Sequence, residues 1–126
     1  MVTAQGVSPK VQAPEVHERG GATVNLGPLS QIPVGEGREF RVGKLRIAVF
    51  RTRHGDLFAT QALCTHKAGP LADGVVGAGK VICPLHAYRF DLATGQPLGH
   101  ECKALKTYSV QVNAAEEVLL MLPQWE

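Results

Sequence analysis

Residues 64–86 open with Cys64-Thr65-His66 and close with Cys83-Pro84-Leu85-His86. Two thiols and two imidazoles thus come as a CxH pair and a CxxH pair, with sixteen residues between them. Those intervening residues are rich in Gly, Ala and Val, and their glycines mark turns. The pattern is typical of a metal site whose ligands lie in two separate loops.

The mixture of ligand types within each pair indicates which metal is held. Structural zinc sites typically draw their ligands as CxxC with a second CxxC, or as CxxC with HxxxH. Sorted by type, Cys64 and Cys83 would hold one iron of a [2Fe-2S] cluster, and His66 and His86 would hold the other. This is the Rieske arrangement. Zinc binding, or simple packing of buried Cys and His, is the alternative interpretation of the same four residues.

The charge of that ligand set predicts a one-electron carrier. Two ferric ions, two sulfides and two thiolates sum to zero, so the cluster accepts an electron more easily than an all-thiolate cluster does. Four protein ligands leave no open coordination position, and the sequence offers no acid, base or nucleophile beside them. We therefore expect electron transfer without a catalytic site of the chain's own.

The sequence around the ligands resembles Rieske-type ferredoxins over roughly residues 23–122, and within them most closely the small subunit of NAD(P)H-dependent nitrite reductase. The matching segments are Cys64-Thr65-His66-Lys67-Ala68-Gly69-Pro70-Leu71, Cys83-Pro84-Leu85-His86, Arg89-Phe90-Asp91-Leu92-Ala93-Thr94-Gly95 and Lys106-Thr107-Tyr108-Ser109-Val110. The resemblance implies an all-β protein with the Rieske iron–sulfur fold, an antiparallel β-sandwich with two cluster-binding hairpin loops.

Respiratory Rieske proteins differ from this sequence in two respects. They carry an added cysteine in each ligand loop, and the pair forms a disulfide; Gly69 and Leu85 stand at those places here. They also have a Ser and a Tyr that hydrogen-bond a sulfide and a thiolate, where this chain has Tyr88 and Phe90. The resemblance therefore implies a potential toward the negative end of the roughly −150 to +300 mV that Rieske centres span.

Short strands and turns are predicted along the chain, with no convincing helical period. Alternation places Leu45, Ile47 and Val49 on one face of a strand and Arg46, Ala48 and Phe50 on the other; a later strand would bury Tyr108, Val110 and Val112. The run 118–122 is predicted to be a central strand, and Gly27-Pro28 to end the first one. The predicted strands are 23–26, 39–42, 45–52, 57–62, 80–82, 88–92, 106–113 and 118–122.

Length and composition predict one domain at residues 23–122, with a flexible amino-terminal tail at 1–22 and a short tail at 123–126. A formal charge of +2 is too small to indicate nucleic acid or a membrane surface as a partner. No apolar run near the amino terminus suits a signal sequence or a membrane span. With two of the three cysteines as ligands, Cys102 has no disulfide partner, so we expect a reducing, cytoplasmic compartment.

Three roles are compatible with such a carrier. If the nitrite reductase resemblance holds, the chain serves an assimilatory enzyme that reduces nitrite to ammonia, in nitrate assimilation, through a large subunit with FAD, an iron–sulfur cluster and sirohaem. The alternative is the ferredoxin component of an aromatic ring-hydroxylating dioxygenase system, between a flavin reductase and an oxygenase. The third is a cluster-bearing redox sensor. Residues 67–71 and 99–102 favour the nitrite reductase interpretation.

Several residues lie outside the predicted site. Cys102 is expected to be a small, partly buried thiol. His17, His54 and His100 lack ligand spacing, so ordinary surface histidines are expected there. Trp125 is expected to pin the carboxy terminus or to join an interface, and the sequence does not decide between the two.

Overall fold

The fold is built from strands alone, apart from two single turns of 3-10 helix at Leu29–Gln31 and Leu71–Asp73 among the described residues. A computed structural model describes residues 15–16, 22–65, 68–85 and 87–123. The strands are β1 (Glu15–Val16), β2 (Ala22–Pro28), β3 (Glu36–Val42), β4 (Leu45–Arg51), β5 (Leu57–Gln61), β6 (Val75–Gly77), β7 (Lys80–Ile82), β8 (Arg89–Asp91), β9 (Pro97–Leu98), β10 (Thr107–Val112) and β11 (Glu117–Leu122).

Two antiparallel sheets result. The larger sheet has the order β1-β2-β11-β10-β5-β4-β3, and the smaller has the order β6-β7-β8-β9. The predicted all-β, antiparallel Rieske fold is confirmed, and so is the central place of the last strand, since β11 pairs with both β2 and β10. No helix in the described part of the chain has the length and hydropathy needed to cross a bilayer.

The first core is enclosed by the larger sheet itself. Its members come from strands that lie far apart in the sheet order, such as β2 and β3, so the sheet curls over into two layers. The alternate residues Ile47 and Val49 of β4 face this core. The buried members are Val24, Leu26, Ile32, Phe40, Val42, Ile47, Val49, Ala59, Val118 and Leu120.

The second core lies on the opposite face of β4, where Ala48 and Phe50 meet residues of the smaller sheet and its loops. The predicted alternation along residues 45–50 is thereby confirmed, with the addition that both faces of β4 are covered. The buried members are Ala48, Phe50, Cys64, Leu71, Val81, Cys83, Phe90, Leu92 and Leu105. Two of the four predicted ligands thus belong to this core.

One local prediction is confirmed and one is wrong. The first strand ends at Gly27-Pro28 as predicted, although it includes both residues; its partner strand shifts register between Val118 and Leu119, and Gly27 adopts a φ of 100°. Val112 is 39% exposed rather than buried. It is the last residue of β10 and lies four residues beyond Tyr108, where the pairing with β5 ends.

The predicted amino-terminal tail contains one described element. Glu15–Val16 pairs antiparallel with the start of β2, Ala22 and Thr23. The rest of residues 1–21, His17 among them, lies outside the described residues, as does residue 124 onward with Trp125.

Candidate metal centre

The first ligand loop starts at Cys64, directly after a single antiparallel bridge between Leu63 and Pro70. The backbone N–H of Cys64 donates to the carbonyl of Gly69 at 2.8 Å, and that of Ala68 donates to the carbonyl of Cys64 at 2.9 Å. These bonds close a tight loop at its base. The chain then enters the 3-10 turn Leu71–Asp73 instead of returning along a second strand.

The second ligand loop connects β7 to β8 and begins at Cys83. Its backbone N–H donates to the carbonyl of Tyr88 at 2.7 Å, which closes the loop. The N–H of Leu85 donates to the Cys83 sulfur at 3.4 Å. This hairpin is the one predicted to carry Cys83 and His86.

Each loop turns through an alanine in the left-handed region. Ala68 and Ala87 both have a φ of 57°. For a residue with a Cβ this conformation costs about 1–2 kcal/mol, so the surrounding contacts must hold it in place. Each loop therefore has a left-handed alanine within two residues of its predicted histidine ligand.

The two loops bring the predicted thiolate ligands together. Cys64 is 3% exposed and Cys83 is 1% exposed, and their side chains are hydrogen-bonded to one another. Burial raises the pKa of the Cys83 thiol, the Leu85 N–H opposes that rise, and the neighbouring Cys64 adds to it. Without a cation the Cys83 thiol thus favours its protonated form, and bound iron would supply the positive charge that thiolates need.

The predicted imidazole ligands His66 and His86 lie outside the described residues, as does Lys67. Within the ranges that are described, no group of three or more His, Cys, Asp or Glu converges on a common point. The structure thus brings two of the four predicted ligands together and describes the neighbours of the other two, Thr65 and Ala68 in one loop and Leu85 and Ala87 in the other.

Gly69 shows how closely the ligand loops approach. A Cβ at this residue would lie 2.8 Å from the Cys83 sulfur and 3.1 Å from Cγ of Leu85. Gly69 and Leu85 are therefore neighbours, as expected of the two places that hold bridging cysteines in respiratory Rieske proteins. The three cysteines of this chain are free of disulfides, and Cys102 is partly buried, as predicted. Gly69 has no side chain, so the two ligand loops can lie close together in front of the buried thiols of Cys64 and Cys83. This arrangement fits a cluster bound between the loops.

A third segment, Gly99 to Leu105, contacts both ligand loops, and sequence reasoning missed it. The hydroxyl of Thr65 donates to the carbonyl of Lys103 at 2.6 Å. The imidazole of His100 stacks on the ring of Tyr88, with centroids 4.0 Å apart and planes 14° apart. The prediction of an ordinary surface histidine at position 100 therefore needs correction. Only the folded structure shows this contact, because nothing in the sequence indicates that the two rings meet.

The rim of the site is apolar and exposed. Leu85 is 43% exposed, and Pro84, Ala68 and Ala87 are exposed beside it. A cavity of about 360 Å³ lies elsewhere, between the turn that follows β4 and the turn from β6 to β7, and none of the ligand-loop residues lines it. An exposed apolar rim over buried donors suits exchange of electrons with a docked protein more than the binding of a small substrate.

Such a site on such a fold defines an iron–sulfur electron-transfer protein, and comparison with known proteins agrees. Residues 22–109 match the family model of the Rieske [2Fe-2S] domain. The chain belongs to this family, and it carries the family's cofactor, a Rieske [2Fe-2S] cluster, as an electron carrier.

Three relatives illustrate the similarity. The ferredoxin component of naphthalene 1,2-dioxygenase/salicylate 5-hydroxylase systems from Ralstonia sp. is 36% identical over 99 residues, which cover 78% of this chain and 94% of that protein. The ferredoxin of carbazole 1,9a-dioxygenase from Nocardioides aromaticivorans IC177 superimposes with a TM-score of 0.70 at 32% identity, covering 78% of this chain and 95% of that one. The Escherichia coli protein NirD gives a TM-score of 0.72 at 22% identity, over 80% and 96%.

Proposed function

We propose that Cys64, His66, Cys83 and His86 bind one Rieske [2Fe-2S] cluster, with the thiolates on one iron and the imidazoles on the other. The hydrogen-bonded, buried pair of Cys64 and Cys83 supports this ligand set. We further propose that the cluster domain spans residues 23–122, between tails at 1–22 and 123–126.

The chain's own residues would hold the cluster rather than perform bond chemistry. The cluster supplies a one-electron couple when bound. The Leu85 N–H, directed at the Cys83 sulfur, favours negative charge on that sulfur. The Leu85 side chain would cover part of the rim and limit the access of water to the cluster. The paired strands β7 and β8 keep the second ligand loop rigid, which limits movement when the charge changes.

We propose that the electron acceptor is the oxygenase of an aromatic ring-hydroxylating dioxygenase system, with a flavin reductase as the donor. The observation that carries this proposal is the 36% identity to the Ralstonia ferredoxin component along nearly its whole length. This reverses the order in which sequence motifs alone rank the two systems. The odd number of cysteines supports a cytoplasmic location for this electron transfer.

The second candidate is the small subunit of an assimilatory NAD(P)H nitrite reductase. The segments 67–71 and 99–102 favour it, and NirD shares the fold with a TM-score of 0.72. An identity of 22% supports a common fold alone. In that case the partner would be the large subunit with FAD, an iron–sulfur cluster and sirohaem, and nitrite would be reduced to ammonia.

Reconstitution with purified partners distinguishes the two candidates. The cluster-loaded chain is combined with NADH, a flavin reductase and a naphthalene-type oxygenase, and in parallel with a sirohaem nitrite reductase large subunit. We expect hydroxylated aromatic product that depends on the chain, and no increase in ammonia formation. Chain-dependent ammonia formation without any hydroxylation would reject the dioxygenase proposal and support the nitrite reductase one. Activity in neither assay would reject both.

A further inference from the structure

The His100–Tyr88 stack joins a ligand loop to a segment that carries no predicted ligand. The ring centroids lie 4.0 Å apart, and the planes are nearly parallel at 14°. Both side chains are half-buried. A stacked pair of this kind is worth about 0.5–1.5 kcal/mol beyond the area that it buries.

Tyr88 is joined to a proposed ligand through its backbone. Its carbonyl accepts the N–H of Cys83 at 2.7 Å, so Tyr88 and Cys83 together form the base of the second ligand loop. The Tyr88 side chain also packs against the second core, which contains Cys83. A change in the position of Tyr88 therefore alters the anchor of the loop that holds Cys83 and precedes β8.

The segment that carries His100 is itself held by two further hydrogen bonds. At its far end, buried Leu105 donates its N–H to the carbonyl of Gly95 at 2.8 Å. In its middle, the Lys103 carbonyl accepts the hydroxyl of Thr65, which lies next to Cys64 in the first ligand loop. His100 thus presents its ring from a segment that is tied to the other ligand loop.

We propose that His100 is a positioning residue for the cluster: its flat ring holds Tyr88, and through Tyr88 it holds the second ligand loop in the geometry that retains the cluster. The proposal rests on the ligand set proposed above. The flat face of the ring carries this role, because the contact is a parallel stack. A phenylalanine ring should therefore replace the imidazole.

The test compares three variants of the full, cluster-loaded chain. His100→Ala removes the ring, His100→Phe keeps a flat ring, and His54→Ala removes an exposed histidine from the turn after β4 as a matched control. Anaerobic protein is mixed with a ferrous chelator, and the loss of the cluster's visible absorbance is followed over time. The EPR spectrum of each reduced sample is recorded alongside.

We expect His100→Ala to lose its cluster about two- to tenfold faster than the unsubstituted chain, which corresponds to the energy of one stacked pair. Its EPR g values should shift or broaden. His100→Phe should return both quantities to within about twofold of the original, and His54→Ala should change neither. In a Tyr88→Leu background, the additional effect of His100→Ala should disappear, as a double-mutant cycle requires for two residues that act together.

Equal cluster loss from His100→Ala and His54→Ala would overturn the inference, and so would a His100→Phe variant as unstable as His100→Ala. If His100→Ala does not fold, His100→Leu compared with His100→Phe separates a flat ring from mere apolar volume. The two proposals fail differently. Absence of a Rieske EPR signal from the unsubstituted chain rejects the ligand set. A normal signal from that chain, with the rate of cluster loss and the g values unchanged in the His100 variants, rejects only the positioning role.

Discussion

Gly37 lies directly opposite Phe50 in the register of β3 and β4, and the Phe50 ring occupies the space into which a side chain at position 37 would project. A Cβ there would lie 2.6 Å from Cδ1 of Phe50 and 3.3 Å from Cα of Ala72. The close contact of β3, β4 and the 3-10 turn Leu71–Asp73 therefore depends on a residue without a side chain. Phe50 belongs to the same core as the two candidate thiolate ligands.

The first prediction concerns this approach. Gly37→Ala should lower the free energy of unfolding by about 1–3 kcal/mol, the usual cost of adding a methyl group to a filled core. Gly77→Ala is the matched control, since nothing lies within 4 Å of its Cβ position. Denaturant titration of both variants measures the difference. Equal stability of the two would show that Phe50 can move aside at no cost.

The second prediction concerns the approach of the ligand loops. Gly69→Ala places a methyl group 2.8 Å from the Cys83 sulfur, so one loop must shift. We expect a fold close to the original by circular dichroism but a several-fold lower iron and acid-labile sulfide content per chain. Gly77→Ala again serves as the control, and full cluster content in Gly69→Ala would contradict the close approach.

The third prediction separates the two cores. Leu120→Ala in the first core and Leu71→Ala in the second should each cost about 2–5 kcal/mol of stability, because both side chains are fully buried. Only Leu71 shares a core with Cys64 and Cys83. Under conditions where both variants stay folded, we expect the cluster to be lost faster from Leu71→Ala. The measurement is the rate of cluster loss from each variant, together with its unfolding midpoint. Equal rates of cluster loss would contradict the prediction that only the second core supports the cluster.

The strands predicted correctly are those whose pattern is local. Residues 45–50 alternate, and β4 contributes alternate side chains to the two cores. The ligand pairs likewise predicted a hairpin at Cys83, because a Cys–Pro tip between two short strands can be recognised from neighbouring residues. Periodicity and motif spacing together were sufficient for these parts.

The features that were missed depend on contacts with other segments of the chain. The early start of β3 depends on its partner β4, and the two-residue strand β9 exists only because Arg89 and Phe90 pair with it. Val112, which was predicted to be buried, lies at the exposed end of β10. His100 acquires its ring contact from Tyr88, twelve residues away. None of these features has a periodic signal of its own.

The fourth prediction concerns acid stability at the turn between β10 and β11. Asn113 donates its side-chain N–H to Glu117 at 3.0 Å, and Asn25 donates to the same carboxylate oxygen at 3.1 Å. These bonds, that from Asn113 first, lower the pKa of Glu117 below its usual value. A carboxyl with a depressed pKa stabilises the fold above its unfolded pKa, and this contribution is lost as pH falls through the lower folded value.

Glu117→Gln tests that sign. The stability advantage of the original chain over the variant should be present at pH 7 and should shrink as pH falls below about 4. Thermal unfolding of both proteins from pH 7 to pH 3 measures the difference. Subtracting the variant removes the effects of other acidic groups and of the ligands. A difference that stays constant with pH, or that grows on acidification, would contradict the assigned hydrogen bonds.

The fifth prediction is the potential of the cluster. At the two places where respiratory Rieske proteins have hydroxyl donors, this chain has a fully buried Phe90 and a Tyr88 whose ring is stacked on His100. Fewer hydrogen bonds to the sulfur atoms stabilise the reduced, more negative cluster less, which lowers its potential. We expect a midpoint in the lower part of the range from roughly −150 to +300 mV, which suits a flavin donor better than a quinol. An EPR-monitored redox titration measures it, and a midpoint well above zero would mean that other donors reach the sulfurs.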